Sequence, residues 1–161
     1  MQKYTVLITG ANRGIGLELS RQYAADGWQV LACCRHPQSA IALQALTTRH
    51  DNVHVLPLDV SDFKQIDALA LTLKSQNIDV LINNAGVYPE STFGDTDEQL
   101  WANAFKVNSM APMKMAEAFV QHITRSQLKK IATLSSKMGS IDDNTSGESY
   151  LYRSSKTAVN M

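Results

Sequence analysis

Residues 5–16 read TVLITGANRGIG, and this stretch decides the fold. The apolar and β-branched run from Tyr4 to Thr9 predicts a buried strand that ends at Gly10. Apolar side chains then recur at helical spacing from Gly14 to Ala25, so a helix begins inside the glycine-containing segment. A strand, a glycine turn and a helix N-terminus in this order form a cradle for phosphate, because unpaired N–H groups and the helix dipole point at the anion.

The alternation of strand and helix continues along the chain. Further strands are predicted over Gln29 to Cys34, Val53 to Leu58, Asp79 to Asn83 and Lys130 to Ser135. Further helices are predicted over Gln38 to Arg49, over Asp62 to Ser75 with Ser61 as N-cap, over Asp97 to His122 with a break near Val107–Pro112, and from Tyr150 onward. This pattern predicts an α/β, Rossmann-like, doubly wound parallel sheet with strand order 3-2-1-4-5 and helices on both faces.

The 161 residues suit a single domain over positions 1–161. A full dinucleotide-binding sheet consists of two βαβαβ halves, and here the second half lacks its last strand. The strand from Lys130 to Ser135 would therefore lie at an edge, although its composition is typical of a buried strand. We favour a C-terminally incomplete fragment over an unusually short member of the fold.

Composition excludes several functions. Lys and Arg number 15 against 15 Asp and Glu, with no basic run, which argues against electrostatic binding of nucleic acid. No stretch reaches the roughly 18 consecutive apolar residues of a membrane helix, and the segment before Tyr4 leaves no room for a signal peptide, so we expect a cytoplasmic protein. Cys33 and Cys34 are adjacent, which predicts two small buried residues rather than a disulfide or a redox centre.

The glycine segment has the spacing G-x-x-x-G-x-G. Gly10 permits the turn off the strand, Gly14 lets backbone approach a pyrophosphate, and Gly16 lets the helix pack closely on the sheet. The acidic residue that would bind a ribose 2′-hydroxyl at the end of the second strand is missing. Arg35 follows that strand instead, and Arg13 lies in the glycine segment, so two guanidinium groups would pair with a 2′-phosphate. The sequence therefore predicts NADP (NADPH) in preference to NAD.

Five more motifs follow in an order that resembles the short-chain dehydrogenase/reductase family. The matching elements are Thr9–Gly16, Asp59-Val60, Asn83–Gly86, Asn108, Ser135-Ser136 and Tyr152–Lys156. The resemblance covers essentially the whole sequence, aligned to the N-terminal two-thirds of the family. It implies an NADP-preferring, carbonyl-reductase-like member that lacks the C-terminal part.

The resemblance also implies a set of cofactor contacts. Asp59 would bond the adenine amino group, Val60 would line the adenine pocket, and the turn Asn83–Gly86 would border the cofactor. No metal is expected. The expected cofactor-binding residues are Gly10, Asn12, Arg13, Gly14, Ile15, Gly16, Arg35, Asp59, Val60, Asn84, Ala85, Gly86, Tyr152 and Lys156.

The catalytic set implied by the resemblance is Asn108, Ser136, Tyr152 and Lys156. Tyr152 and Lys156 lie one helical turn apart, and an ammonium group beside a phenol favours the ionised phenol. Tyr152 would exchange a proton with the substrate oxygen, and Ser136 would hydrogen-bond that oxygen. Lys156 would also hold the nicotinamide ribose, and Asn108 would anchor a water that links Lys156 to solvent.

Neighbouring residues are alternatives for two of these assignments. Tyr150 is a second tyrosine, but the residue four positions further on is a serine, which supplies no charge. Ser135 is the alternative to Ser136, which we prefer because the catalytic serine of the family is usually the second of such a pair. The segment from Lys137 to Leu151 is slightly longer than usual in the family, and its acidic part either borders the substrate mouth or is a solvated loop.

Two functions of different classes fit these features. The first is an NADPH-dependent oxidoreductase that transfers hydride reversibly between nicotinamide and a small carbonyl or alcohol. The second is an NADP-binding fragment or pseudo-enzyme, because the family segment that completes the sheet and supplies the substrate lid is not in this sequence. A sugar-nucleotide epimerase shares the Tyr-x-x-x-Lys pair but usually has another glycine spacing. The helices from Asn108 to His122 and from Tyr150 onward match those that pair subunits in the family, so we expect a homodimer or homotetramer, with the exposed fifth strand as another possible contact.

Overall fold

The computed structural model describes residues 4–161, and its centre is one parallel sheet of five strands. The strands are β1 (Thr5–Thr9), β2 (Gln29–Cys34), β3 (Val53–Pro57), β4 (Val80–Asn83) and β5 (Lys130–Thr133). Their order in the sheet is β3-β2-β1-β4-β5, which confirms the predicted doubly wound topology.

Helices cover both faces of this sheet. They are α1 (Gly14–Ala25), α2 (Ile41–Thr47), α3 (Phe63–Thr72), α4 (Glu98–Phe105), α5 (Ala111–Thr124) and α6 (Tyr150–Asn160), with short 3₁₀ turns at Pro37–Ser39 and Lys137–Gly139. Among residues 4–161, no helix has the length and apolar character needed to cross a bilayer.

Two details of the predicted helices are wrong. The helix predicted over Gln38 to Arg49 is divided into a 3₁₀ turn and the shorter α2. The N-cap of α3 is Asp62, not Ser61, because the Asp62 carboxylate accepts the Lys64 N–H at 3.0 Å. The hydroxyl of Ser61 donates to the Asp59 carboxylate instead.

The division into two helices predicted near Val107–Pro112 is found, although the helical path is not interrupted there. Residues Lys106–Met110 form a π-helical turn that joins α4 to α5, so the helical path continues through this region. Pro112 lies in the first turn of α5, where its missing N–H is tolerated. The wider turn directs Val107 and Asn108 into the interior, where both are buried.

Alternating residues of the central strands divide the core into two layers. Leu7 and Leu81 pack with Phe119 of α5 on one face, and Val6 and Ile82 pack on the face covered by α1 and α2. The adjacent cysteines follow this alternation: Cys33 and Cys34 are both buried and free, on opposite faces, as predicted. Burial raises the pKa of both thiols.

Strand β5 lies at the sheet edge, as the strand count predicts, and all four of its residues are exposed. The sequence of this strand is typical of a buried strand, but nothing within residues 4–161 buries it. Because the strands are parallel, the turns that follow them lie on the same side of the molecule. There the carboxyl ends of β1, β2, β3 and β4 surround a common cleft.

Candidate active site

A cleft of about 470 Å³ opens at the carboxyl ends of the strands, next to the point where the strand order reverses around β1. It is lined by predicted cofactor-binding residues, namely Gly10, Asn12, Arg13, Gly14, Ile15, Arg35, Asp59, Val60, Asn84, Ala85 and Gly86. It is also lined by residues that the sequence analysis did not identify, namely Cys34, His36, Ser39, Leu58, Ser61, Val87, Asn103 and Val107.

The three glycines of the first turn have different surroundings. A Cβ on Gly10, which has φ +67°, would lie 2.9 Å from Ala85 Cα, and a Cβ on Gly16 would collide with the Gly10 carbonyl. Gly16 does not line the cleft; it lets α1 approach the first turn. Gly14 has φ +57°, and a Cβ there would meet nothing within 4 Å. The segment therefore leaves open space beside exposed backbone at the start of α1, which is the shape a pyrophosphate needs.

Asn84 ties the turn after β4 to the turn after β1. Its Nδ2 donates to the carbonyl of Thr9 at 2.8 Å and to that of Gly10 at 3.1 Å. In return Thr9 Oγ1 accepts from the N–H groups of Asn84 and Ala85 at 3.1 and 3.0 Å. A further bond of 2.9 Å joins the Ala11 N–H to the end of β2. These bonds hold the floor of the cleft rigid without any ligand.

Basic and acidic groups lie at separate parts of the cleft. Arg13 and Arg35 are exposed, and within residues 4–161 neither has a carboxylate within ion-pair distance. Their charges are therefore available to an anionic ligand. Asp59 has one carboxylate oxygen bonded to the N–H and hydroxyl of Ser61, at 2.9 and 2.7 Å, so it fixes the turn after β3 as well as lining the cleft.

Helix α6 brings Tyr152 and Lys156 together on one side. The Lys156 Nζ lies 5.9 Å from the centre of the Tyr152 ring and donates to the Leu134 carbonyl at 2.7 Å. Lys156 is only 6% exposed, and this burial lowers the pKa of its ammonium group. A Cβ built on Gly86 would lie 3.9 Å from the same Nζ, so the lysine adjoins the turn that lines the cleft.

Asn108 acts as a brace inside the π turn. Its Oδ1 accepts the Val87 N–H at 2.9 Å, while its Nδ2 donates to the Val87 carbonyl and to Ser155 Oγ, both at 2.9 Å. Both amide hydrogens are thus used to join the turn after β4 to α6. If the side chain of Asn108 anchors a water, as predicted, it can do so only through the one acceptor position that remains on Oδ1.

The two serines after β5 differ in what their hydroxyls do. Ser136 Oγ accepts the Met138 N–H at 3.1 Å, which leaves its hydroxyl proton free to donate. Ser135 Oγ donates towards the Lys156 carbonyl at 3.5 Å, so its proton points at helix backbone. Of these two hydroxyls, only that of Ser136 keeps its proton available for another acceptor.

Neither the alternative tyrosine, Tyr150, nor the acidic loop within residues 137–151 lines the cofactor cleft. Tyr150 lines a separate apolar pocket of about 540 Å³ with Phe93 and Trp101. The acidic loop is held to α6 by Arg153, whose guanidinium donates to the Asp143 carbonyl at 2.9 Å and to a serine hydroxyl at 3.0 Å. The loop is therefore fixed to the helix that carries Tyr152.

Comparison with known proteins agrees with this architecture. The family model described as short chain dehydrogenase matches residues 4–161. An uncharacterized oxidoreductase of Schizosaccharomyces pombe is 32% identical over 161 residues, covering 95% of this chain and 62% of the relative. The 1-hydroxy-2-glutathionyl-2-methyl-3-butene dehydrogenase of a Rhodococcus species is 32% identical over 159 residues, covering 98% of this chain and 67% of the relative.

Solved structures show the same likeness. The NADPH-bound carbonyl reductase from chicken fatty liver has a TM-score of 0.91 and 33% identity, covering 100% of this chain and 68% of that one. The carbonyl reductase Sniffer of D. melanogaster has a TM-score of 0.86 and 32% identity, covering 99% of this chain and 72% of that one. The chain belongs to the short-chain dehydrogenase/reductase family and spans about 62% of the first of these curated relatives.

Proposed function

We propose that residues 1–161 form the dinucleotide-binding and catalytic domain of an NADPH-dependent carbonyl reductase. The observation that carries the proposal is the placement of Lys156, whose Nζ adjoins both the Tyr152 ring and the Gly86 turn of the cleft. Neither side chain lines the cleft itself, but the buried cation lies beside the phenol and next to the turn that borders the cleft. The likeness to carbonyl reductases of chicken and fly supports the same reaction class.

The cleft fits a dinucleotide, because its glycine cradle has open space where a Cβ on Gly14 would stand. The first turn would hold the pyrophosphate, Asp59 and Val60 the adenine, and Arg13 and Arg35 a 2′-phosphate. When bound, NADPH supplies the hydride. Charge-assisted hydrogen bonds of this kind contribute about 1.5–3 kcal/mol, so we expect NADPH to bind roughly 10- to 100-fold more tightly than NADH. Equal or tighter binding of NADH in a fluorescence titration would rule out this preference.

The chain's own residues would carry the proton chemistry. Tyr152 would donate its phenolic proton to the carbonyl oxygen, and the neighbouring Lys156 ammonium would stabilise the phenolate that remains. The free hydroxyl proton of Ser136 would hydrogen-bond the same oxygen and orient it. In the direction of alcohol oxidation, the same groups would act in reverse order.

Substitution of Tyr152 tests the proposal. General acid catalysis contributes about 10²–10⁴-fold, so Tyr152→Phe should reduce NADPH consumption with a panel of ketones and aldehydes by at least about 100-fold. The Kd for NADPH should change far less than the rate, because the phenol is only one of the expected cofactor contacts and the phosphate cradle stays intact. Tyr150→Phe is the matched control, because Tyr150 lines another pocket, and it should retain turnover. Retained turnover in Tyr152→Phe would contradict the assignment.

A second function, NADP binding without turnover, is favoured by one observation. All four residues of the edge strand β5 are exposed, and no strand or helix among residues 4–161 covers them. An edge strand without cover leaves the neighbouring part of the site open to water, and both water access and loose substrate orientation would slow the reaction. Tight NADPH binding with no carbonyl reduction by this chain would support that alternative.

We also propose that the chain associates with itself through α5 and α6. The large apolar side chains of Met113 and Val120 are exposed on α5, and an exposed apolar surface of this kind is typical of an association site. Light scattering should show a dimer or tetramer. A monomer at all protein concentrations would contradict this proposal without affecting the reductase chemistry.

A further inference from the structure

Tyr88, two residues beyond Gly86, packs against the ring of Tyr152 from a distant part of the chain. The two ring centroids are 4.5 Å apart, and the ring planes are inclined at 54°. At its far end the Tyr88 hydroxyl lies 2.7 Å from Ser149 Oγ, so the ring is anchored to the residue immediately before α6. The proposed reaction assigns no role to Tyr88 or to Ser149.

The loop that carries Tyr88 also holds the start of α6. Ser149 has φ 50° and ψ 38°, a left-handed conformation that costs energy in a residue other than glycine. Its N–H donates to the Ser91 carbonyl at 3.0 Å, and Ser91 Oγ accepts the Leu151 N–H at 3.2 Å. Ser91 therefore caps the helix, which leaves the Ser149 hydroxyl for Tyr88.

The orientation of the Tyr152 ring depends on packing, because no hydrogen bond among the described residues holds its hydroxyl in place. Within residues 4–161 no group hydrogen-bonds that hydroxyl, which suits an acid that must meet a substrate oxygen. Lys156, by contrast, is bound to a backbone carbonyl. Asn108 fixes the backbone of Val87 through both its N–H and its carbonyl, and so fixes the point from which Tyr88 extends.

We infer that Tyr88 is a positioning residue for the reaction: its ring, anchored by Ser149, holds the Tyr152 ring in the orientation that presents the phenol to the substrate. The inference rests on the proposed function of Tyr152 as proton donor. If the two rings interact fully only when Tyr152 is in its reactive orientation, the interaction energy of the pair corresponds to roughly a tenfold change in rate. Tyr88 would act through Tyr152, which makes it a positioning residue and not a catalytic one.

Three variants divide the contact into its parts. Tyr88→Leu removes the ring, Tyr88→Phe keeps the ring and removes the hydroxyl, and Ser149→Ala removes the same hydrogen bond from the other side. We expect kcat to fall about 10-fold in the first and about 3-fold, equally, in the other two, with an unchanged Kd for NADPH. Phe93→Leu is the control, because this side chain of the same loop is 91% exposed, and it should leave kcat unchanged.

The decisive comparison repeats Tyr88→Leu in a Tyr152→Phe background. We expect no further loss of the residual rate there, because no acid remains to be positioned. Equal fold-losses in both backgrounds, or an NADPH Kd that rises as kcat falls, would overturn the inference. If Tyr88→Leu does not fold, the same cycle is carried out with Ser149→Ala.

A second measurement does not depend on turnover. In NMR spectra of the chain with labelled tyrosine, the Tyr88 ring current should displace the Tyr152 ring signals, which are assigned with Tyr152→Phe. These signals should move in Tyr88→Leu and hold their place in Tyr88→Phe. Unchanged Tyr152 signals in Tyr88→Leu would overturn the inference. If the wild-type chain reduces no carbonyl while the signals behave as expected, the proposed function is refuted, and only the packing of Tyr152 by Tyr88 still stands.

Discussion

Removal of the Asn108 side chain should weaken the junction between the turn after β4 and α6. In Asn108→Ala, the N–H and carbonyl of Val87 lose their partners, and Ser155 Oγ loses a donor while it still donates to the Tyr152 carbonyl at 2.8 Å. Val87 is half-buried, so water can replace part of what is lost. An unpaired buried backbone group costs about 1–3 kcal/mol, and water access reduces this cost. The two groups together should therefore lower the free energy of unfolding by about 3 kcal/mol.

For a domain of this size a loss of 1 kcal/mol lowers Tm by about 2–4 °C, so Asn108→Ala should lower Tm by roughly 6–12 °C. Asn108→Asp keeps an oxygen for the Val87 N–H but buries a carboxylate against the Val87 carbonyl, so its loss should be at least as large as that of Asn108→Ala. Asn103→Ala is the matched control, because Asn103 is exposed on α4, and its Tm should stay within about 1 °C of wild type. Thermal unfolding followed by circular dichroism measures all three. A Tm for Asn108→Ala equal to that of the Asn103 control would refute the bracing role.

Two further predictions concern the glycine turn and the buried histidine. Gly16→Ala should disrupt folding, because the new Cβ would collide with the Gly10 carbonyl, whereas Gly14→Ala should cost only the strain of a left-handed residue, about 1–2 kcal/mol, and mainly weaken NADPH binding. Urea unfolding and NADPH titration separate the two effects, and equal stability of the two variants would contradict this account. Burial lowers the pKa of His122, so the unfolded chain takes up the proton first as pH falls; stability should therefore decline as pH drops below about 6.5. The decline should be smaller in His122→Leu, and an unchanged pH dependence in that variant would exclude His122 as the cause.

The sequence predicted the sheet well because each strand is a short apolar run between helices with a clear apolar face. The strand order followed from the doubly wound topology. The glycine turn could be located in the sequence because the fold leaves no room for a side chain at Gly10 and Gly16, so glycine is required at both positions. The cap of α3 was misplaced because Ser61 and Asp62 are equally suitable by residue type. Only the hydrogen bond from Lys64 distinguishes them.

The remaining features depend on contacts that no local pattern records. The π turn over Lys106–Met110 leaves the apolar periodicity almost unchanged, so the sequence located the junction of α4 and α5 but not its π geometry. The places of His36 and Ser39 at the cleft depend on the 3₁₀ turn between β2 and α2. The contact of Tyr88 with Tyr152 joins residues far apart in sequence, and no spacing rule predicts it.

The central claim, that Lys156 and Tyr152 act as one unit, is tested most directly by the single-turnover rate at saturating NADPH in four proteins. These are the wild-type chain, Tyr152→Phe, Lys156→Met and the double variant. If the lysine acts through the phenol, the double variant should react no more slowly than the slower single variant. If the two losses multiply instead, the residues contribute independently, and the paired mechanism is contradicted.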